Sequence, residues 1–273
     1  MKKKLDYQKR EVANIFDEVS LWSAPFGRLL LEHIPMQAKA KILDIGFGTG
    51  FPLVELSQRF GQGSYIYGID IWQAGIDRTR EKIELLKLDN ITILEESAEK
   101  IRLEDNSLDL ITSNLGANNF DNKEEVYREI HRVLKKGGKL ALTTNPIGTF
   151  AELFEIFAVL FREMGLVAAE NELKSYIAHR NTKEGIVSEI ESPGLRLSKS
   201  IADKSSYRFV DAAALLNHSL IRIGFRASWE NLLEEREREA FFDRLRIKLQ
   251  EIIRSKGEFS MSVPMLYLEF EKV

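Results

Sequence analysis

The amino-acid sequence predicts an α/β protein built on a doubly wound, mostly parallel β-sheet. Two observations lead to this fold class. From Lys41 onward, short apolar runs alternate with longer amphipathic helical patterns, and three alternating glycines follow the first run. Strands that are separated by helices of this length join in parallel through right-handed crossovers, so both faces of the sheet are covered.

The predicted elements alternate regularly as far as residue 145. The predicted strands are KILDI (41–45), SYIYGID (64–70), NITILEE (90–96), SLDLITSNL (107–115), GKLALTTN (138–145) and, much later, MLYLEF (265–270). The predicted helices are PLVELSQRF (52–60), QAGIDRTREKIELLKL (73–88), KEEVYREIHRVLKK (123–136) and a charged helix at about 234–255. The pair Gly137–Gly138 marks the end of the third helix.

Two regions lie outside this alternation. Residues 1–40 predict an N-terminal helical segment, which we interpret as a flap on the domain at residues 41–273. Residues 146–209 interrupt that domain with an apolar helix and a polar stretch. We interpret this insertion as a lid over the substrate rather than as a second independent domain. The aromatic side chains of both regions could instead serve core packing, which is the favoured interpretation for most of those at 150–161.

The composition excludes several classes of function. The chain contains no cysteine, which excludes disulfide frameworks, thiol catalysis and cysteine-ligated metals, and no histidine–carboxylate pair has metal-ligand spacing. A net charge of −3 gives no global basic field for nucleic acid. No apolar run reaches the ~18 residues of a membrane span, and no signal-peptide pattern is present. We therefore expect a cytoplasmic protein with no metal, membrane or nucleic-acid partner, and we make no prediction of its oligomeric state.

The glycine loop KILDIGFGTGFP (41–52) carries the functional signal. Gly46, Gly48 and Gly50 lie between a predicted strand and a predicted helix, where a backbone without Cβ atoms lets a ligand approach closely. Their G-x-G-x-G spacing differs from the G-x-G-x-x-G dinucleotide fingerprint, and the loop lacks the lysine of a phosphate loop. Both phosphate-binding interpretations are therefore weakened.

Two acidic residues indicate what the loop holds instead. Asp70 ends the second predicted strand, where a carboxylate can accept hydrogen bonds from two ribose hydroxyls; helix capping is the alternative. Asp44 precedes the loop, where its charge would repel a pyrophosphate and attract an ammonium or sulfonium group. The pattern favours a nucleoside ligand that carries a positive charge.

Five segments in order resemble the motifs of the class I S-adenosylmethionine-dependent methyltransferases. They are LDIGFGTG, YGIDI, EESAEKI, LDLITSNL and REIHRVLKKGGKLALTT, and they cover residues 40–145. The segments WSAPFG and VPMLYLEF outside this range are compatible with a small-molecule branch of that family. The resemblance implies a seven-stranded Rossmann-like sheet, S-adenosylmethionine as cofactor and S-adenosylhomocysteine as product.

The resemblance also implies which residues meet each part of the cofactor. The glycine loop would line the methionine part, Asp70 would hold the ribose and Ile71 would cover one adenine face. Ser97 and Ala98 would meet the adenine edge, and the end of the fourth strand would lie under the sulfonium. The implied residues are Asp44, Gly46, Phe47, Gly48, Gly50, Asp70, Ile71, Ser97, Ala98, Asn114 and Leu115.

Two of these positions depart from the family pattern. Ser97 stands where an aspartate commonly accepts from the adenine amino group, and an uncharged serine accepts that bond more weakly. Phe47 stands where a small residue or cysteine is frequent. Its ring could press on the cofactor or pack beneath the N-terminal segment.

The predicted reaction is methyl transfer to a small-molecule acceptor. Asn118 and Asn119 follow the fourth strand and could orient that acceptor, with Trp22 contributed by the flap. His179 and His218 flank the insertion and are the candidate bases, each with a packing role as the alternative. An acceptor that carries an acidic proton would need such a base.

Three other functions remain open at this point. The stretch RLSKSIADKSSYR (196–208) could recognise RNA or protein in a macromolecular methyltransferase. The fold would also suit an NAD-dependent oxidoreductase, against which the glycine spacing argues. A non-catalytic cofactor binder would keep the same loop without transferring a methyl group.

Overall fold

The computed structural model describes residues 6–18, 21–191 and 194–273. Its strands are β1 (Lys41–Ile45), β2 (Tyr65–Asp70), β3 (Ile91–Glu95), β4 (Leu108–Asn114), β5 (Leu134–Thr144), β6 (Leu195–Phe209) and β7 (Phe259–Lys272). Within this described part they form a seven-stranded sheet in the order β3-β2-β1-β4-β5-β7-β6. The pairs from β3 to β5 are parallel, whereas β7 runs antiparallel to β5. The predicted α/β class and the implied seven-stranded sheet are confirmed.

In the described part of the chain, two helices precede β1, and the others lie between the strands. They are α1 (Arg10–Glu18), α2 (Ser23–His33), α3 (Leu53–Phe60), α4 (Gln73–Leu86), α5 (Lys123–Val133), α6 (Ala151–Glu163), α7 (Val167–Ala178), α8 (Lys183–Glu191), α9 (Ala212–Asn217), α10 (Arg226–Glu230) and α11 (Glu235–Lys256). A short 3₁₀ helix spans Gly116–Asn119. No helix in the described ranges is long and apolar enough to cross a membrane.

The apolar pattern of the sequence explains the central layer. Almost every side chain of β1 and β4 is buried, as expected of central parallel strands that are covered on both faces. On α5, Val126, Ile130 and Val133 recur at helical spacing and belong to the same core as the sheet residues Leu43 and Ile111. The apolar residues that recur at strand and at helix spacing in the sequence therefore form one core between the sheet and its helices.

The chain divides into two compact units. The sheet unit comprises Met1–Thr144, Lys183–Ala202 and Met265–Val273, and the inserted unit comprises Asn145–Thr182 and Asp203–Pro264. The inserted unit has an aromatic core of its own, in which Trp229 and Phe241 pack against Phe157 with ring centroids 5.6 and 5.0 Å away. Residues 183–202 thus fall in the sheet unit, which differs from the predicted insertion at 146–209.

Two elements correct the sequence prediction. The stretch at 195–209, predicted as part of a polar lid, is strand β6, whose side chains largely alternate between more and less exposed positions. The helix predicted at 123–136 ends at Val133, because Leu134 already pairs with Leu108 in the sheet. The predicted N-terminal segment includes residues 1–5, 19 and 20, and the predicted insertion includes residues 192 and 193, all of which lie outside the described residues.

Candidate functional site

The glycine loop follows β1 and has a backbone that glycine favours. Gly46, Gly48 and Gly50 have φ angles of +78°, +55° and +105°, which lie in the left-handed region. The Gly46 amide donates to the Ile69 carbonyl at 2.8 Å, which anchors the start of the loop to β2. The loop residues of the sequence prediction thus form one turn at the carboxyl end of the first parallel strand.

The ends of β1 and β4 approach each other without an intervening side chain. A Cβ on Gly46 would lie 3.0 Å from the Gly116 Cα, and a Cβ on Gly116 would lie 2.6 Å from the Ile45 carbonyl oxygen. The strand order reverses between these two strands, because the chain runs outward from β1 to β3 and then returns to β4. Open α/β sheets bind their ligands at such a switch point.

Asp70 holds the loop with both of its carboxylate oxygens. Its Oδ2 accepts from the Gly48 amide at 2.7 Å, and its Oδ1 accepts from the Trp72 amide at 2.8 Å. A carboxylate has about four acceptor positions, so each oxygen can accept one further bond, as two ribose hydroxyls would require. Helix capping does not account for Asp70, because α4 begins after Trp72 and has no side-chain cap.

Asp44 is a fully buried carboxyl group with one oxygen left over. Its Oδ1 accepts from the Thr112 hydroxyl at 2.7 Å, whereas its Oδ2 has no hydrogen-bond partner among the described residues. Burial, with a further contribution from the charge of Asp70, raises the pKa of Asp44 to about 7. Because an unpaired buried acceptor is costly, this position suits a ligand that brings a donor or a positive charge.

The predicted adenine contacts lie at the ends of β2 and β3. The side chain of Ile71 is 72% exposed, so its apolar surface is available to cover a flat ring. Ser97 is exposed and its hydroxyl accepts from the Glu99 amide at 3.2 Å, while Ala98 is buried beside it. Ser97 therefore already has one backbone partner, which leaves its remaining capacity for a ligand.

At the end of β4, Asn114 is engaged within the protein. Its Oδ1 accepts from the Thr143 hydroxyl at 2.7 Å and its Nδ2 donates to the Ser23 carbonyl at 3.2 Å. Leu115 has a left-handed φ of +64° and donates its amide to Thr143. Asn114 thus fixes the start of α2 to the sheet, a positioning role that differs from direct contact with a cofactor.

The ring of Phe47 is buried against the sheet. Phe47 is 1% exposed, and a Cβ on Gly68 of β2 would lie 2.9 Å from its Cδ1. The ring therefore packs on the sheet beside Leu53, which would lie 2.7 Å from the same Cβ. Contact of the Phe47 ring with the cofactor or with the N-terminal segment stays a prediction.

Thr79 and Lys82 of α4 hold the glycine loop by hydrogen bonds to its carbonyl groups, and the sequence did not predict this role. The Thr79 hydroxyl donates to the Gly48 carbonyl at 3.0 Å, and Lys82 Nζ donates to the Thr49 carbonyl at 2.8 Å. The indole of Trp72 donates to the Tyr7 carbonyl at 2.8 Å and meets the Phe16 ring with centroids 5.6 Å apart. The only sequence signal was the i, i+3 spacing of Thr79 and Lys82, which places both on one helix face.

The predicted acceptor residues lie in both units. In the sheet unit, Trp22 contacts Phe26 with ring centroids 5.7 Å apart, the Thr144 hydroxyl donates to Asn118, and Asn119 is exposed. In the inserted unit, His179 is exposed at the end of α7. The roles of these residues in the reaction stay predictions.

His218 also belongs to the inserted unit and lies beside aromatic rings. Its ring centroid is 5.5 Å from that of Phe209 and 6.4 Å from that of Tyr207. Its buried Nδ1 has no hydrogen-bond partner among the residues described. Its role as a base stays a prediction too.

Comparison with known proteins agrees with this fold. Residues 43–142 match the family described as "Methyltransferase domain". The demethylmenaquinone methyltransferase of Listeria monocytogenes is 26% identical over 175 residues, which cover 64% of this chain and 73% of that protein. The ubiquinone/menaquinone biosynthesis C-methyltransferase UbiE of Hahella chejuensis is 28% identical over 218 residues, 70% of this chain and 86% of that protein.

A solved structure shows the same fold. The S-adenosylmethionine-dependent methyltransferase of Aquifex aeolicus superposes with a TM-score of 0.54 at 20% identity, covering 72% of this chain and 93% of that one. The open sheet is parallel from β3 to β5, its last strand in the chain runs antiparallel, and a glycine loop lies at its switch point. These features together are typical of a methyltransferase fold. The matched methyltransferase domain at residues 43–142 and the similarity to these relatives indicate an S-adenosylmethionine-dependent methyltransferase.

Proposed function

We propose that this chain binds S-adenosylmethionine at the glycine loop of the sheet unit and transfers its methyl group to a small-molecule acceptor. The observation that carries the proposal is the unpaired Oδ2 of the buried Asp44, next to a loop whose shape is fixed by Asp70. A cofactor that brings an ammonium and a sulfonium group would satisfy that oxygen. The residues present therefore fit the cofactor of the family.

Each part of the cofactor has a proposed partner. Asp44 would face the methionine part, with Gly46, Gly48 and Gly50 allowing close approach of the backbone. Asp70 would accept from the two ribose hydroxyls through the free positions of its oxygens. Ile71 would cover one face of the adenine, and Ser97 and Ala98 would meet its edge, where Ser97 would accept a hydrogen bond. When bound, S-adenosylmethionine supplies an electrophilic methyl group on sulfur, so the chain's own contribution is alignment and the exclusion of water.

The proposed acceptor is a small, ring-bearing and mainly apolar molecule. The names of the relatives above specify demethylmenaquinone and the biosynthesis of ubiquinone and menaquinone, which supports an acceptor of this kind. Asn118, Asn119 and Trp22 are the proposed acceptor contacts in the sheet unit. His179 or His218 would remove a proton where the accepting atom is a hydroxyl oxygen or an acidic carbon.

A ligand-dependent thermal shift tests the cofactor assignment. S-adenosylhomocysteine and S-adenosylmethionine are expected to raise the melting temperature, because a ligand at 100 times its Kd adds about 2.7 kcal/mol of stability. NAD is expected to have no effect. A shift with NAD and none with either adenosyl compound would refute the proposal.

The variant Asp70→Ala sharpens that experiment. It removes the ribose acceptor and leaves the amides of Gly48 and Trp72 without their carboxylate, so the shift with S-adenosylhomocysteine should disappear. The control is Asp77→Asn, an exposed carboxylate on α4 that pairs with Gln73 and Arg80. A normal shift in Asp70→Ala would remove Asp70 from the site.

A further inference from the structure

Lys82 of α4 lies between the cofactor loop and the N-terminal helix. Its ammonium donates to the Thr49 carbonyl at 2.8 Å and also to the Asp17 carboxylate of α1. The side chains are largely covered, with 24% of Lys82 and 18% of Asp17 exposed. A single charged group thus joins two segments that are 32 positions apart in the chain, at residues 17 and 49.

The bond to Thr49 bears directly on the shape of the loop. Thr79 and Lys82 hold two successive carbonyl groups, those of Gly48 and Thr49. In a trans peptide the N–H points away from the C=O, so these bonds turn the amides of Thr49 and Gly50 away from α4. The Gly48 amide is fixed separately by Asp70. Lys82 is therefore one of the groups that define the conformation of the loop.

The bond to Asp17 bears on the N-terminal helix. Asp17 also accepts from Arg78 at 3.0 Å, so two cations of α4 converge on one carboxylate. Partial burial acts to raise the pKa of Asp17, but the bonds from Lys82 and Arg78 hold that pKa below its ordinary value. Asp17 therefore stays charged and holds α1 on α4 at neutral pH.

We propose that Lys82 is a positioning residue for the cofactor, which ties the Thr49 carbonyl of the glycine loop to Asp17 of α1. Binding of the adenosyl cofactor at the loop and docking of α1 then stabilise each other. Such a coupling is reciprocal, so each event strengthens the other by the same factor. This inference rests on the proposed function, because it needs the loop to be the cofactor site.

Two variants separate the loop bond from the helix bond. Lys82→Met removes the bonds to Thr49 and Asp17, whereas the matched control Arg78→Met removes a cation from Asp17 and leaves the loop untouched. The affinity for S-adenosylhomocysteine is measured by calorimetry, and hydrogen exchange of residues 10–18 is measured with and without this ligand. We expect Lys82→Met to bind roughly tenfold more weakly, the effect of one lost charge-assisted bond, and Arg78→Met to bind within about twofold of wild type.

Hydrogen exchange supplies the readout that a merely structural role would not move. Saturating S-adenosylhomocysteine should slow the exchange of α1 in wild type and in Arg78→Met, but not in Lys82→Met. Should Lys82→Met fail to fold, Asp17→Ala replaces it: this variant removes the acceptor on α1 and keeps the Thr49 bond, so the ligand should still bind but no longer protect α1.

The outcomes are distinct. Wild type that does not bind S-adenosylhomocysteine refutes the proposed function, and the present inference with it. Wild type that binds, together with Lys82→Met of equal affinity, refutes only the role of Lys82. Ligand binding that leaves the exchange of α1 unchanged in wild type likewise refutes the coupling. A tenfold loss of affinity combined with loss of α1 protection supports it.

Discussion

At the scale of single residues, the two carboxylates of the site have opposite surroundings. Asp70 accepts hydrogen bonds from two backbone amides and keeps further acceptor positions on both oxygens. Asp44 is fully buried with a single hydroxyl donor, and burial together with the charge of Asp70 raises its pKa to about 7. The charged form of Asp44 is therefore destabilised in the ligand-free protein, and a positively charged ligand next to it would stabilise that form.

Asp44 should make the stability of the ligand-free protein depend on pH. Its pKa is about 7 when folded against an ordinary 3.8, so the folded state binds the extra proton between these values. The free energy of unfolding should therefore fall as pH rises through this window, by up to about 1.4 kcal/mol per pH unit. Asp44→Asn cannot titrate and should lack this slope. Urea unfolding at about pH 5 and about pH 7 measures the free energy of unfolding of both proteins. The same change of this free energy with pH in wild type and in Asp44→Asn would contradict a pKa of about 7 for Asp44.

The same residue should make cofactor affinity depend on pH in the opposite sense. A cation gains from Asp44 only when the carboxylate is charged, so the Kd for S-adenosylhomocysteine should rise below about pH 7 by up to about tenfold per pH unit. Asp44→Asn should bind weakly at every pH and lose most of this dependence. Calorimetry across the pH range gives both values, and a wild-type Kd that is constant from pH 5 to pH 8 would remove Asp44 from the cofactor site.

At the scale of elements, the close approach of β1 and β4 depends on Gly116. A Cβ there would lie 2.6 Å from the backbone carbonyl oxygen of Ile45 and 2.7 Å from the Ser113 hydroxyl, which itself donates to that carbonyl at 2.9 Å. Gly116→Ala should lower the free energy of unfolding by roughly 1–3 kcal/mol and weaken binding of S-adenosylhomocysteine, because the strand ends must move apart. The control is Gly63→Ala, whose Cβ would have an ordinary 3.7 Å contact with Lys39. Denaturant unfolding measures the free energy of unfolding of both variants. An equal value for Gly116→Ala and Gly63→Ala would contradict the steric crowding at Gly116.

Elements with a strong apolar period could be predicted from the sequence, and β6 could not. Strands β1 and β4 are apolar on both faces, so their composition predicts that they are buried. Strand β6 lies at the sheet edge and is rich in Ser and Lys, which made the stretch at 195–209 look like a polar lid. The boundary of α5 was also missed, since the pairing of Leu134 with Leu108 ends the helix before the glycines do.

At the scale of the whole molecule, the sequence indicated the proposed cofactor residues but not the residues that hold the glycine loop in place. Asp44 lies near the end of β1, Gly46 follows it and Asp70 ends β2, and a parallel sheet brings such strand ends together. Lys82 and Thr79 reach the loop only because α4 packs behind it, and Asp17 joins them through tertiary packing of α1. No local sequence motif predicts these contacts, so only the folded structure reveals them.

The overall charge leads to a prediction about the acceptor. With a net charge of −3, the chain has no excess of cations with which to bind phosphates, and a small apolar acceptor would need none. Methyl transfer to a small aromatic hydroxyl acceptor should therefore change by less than about twofold between about 50 and 200 mM salt. Transfer to RNA through several phosphate contacts would fall by orders of magnitude over the same range. Radiolabelled methyl transfer to a small-molecule panel and to total RNA distinguishes the two, and salt-sensitive labelling of RNA alone would overturn the proposed acceptor class.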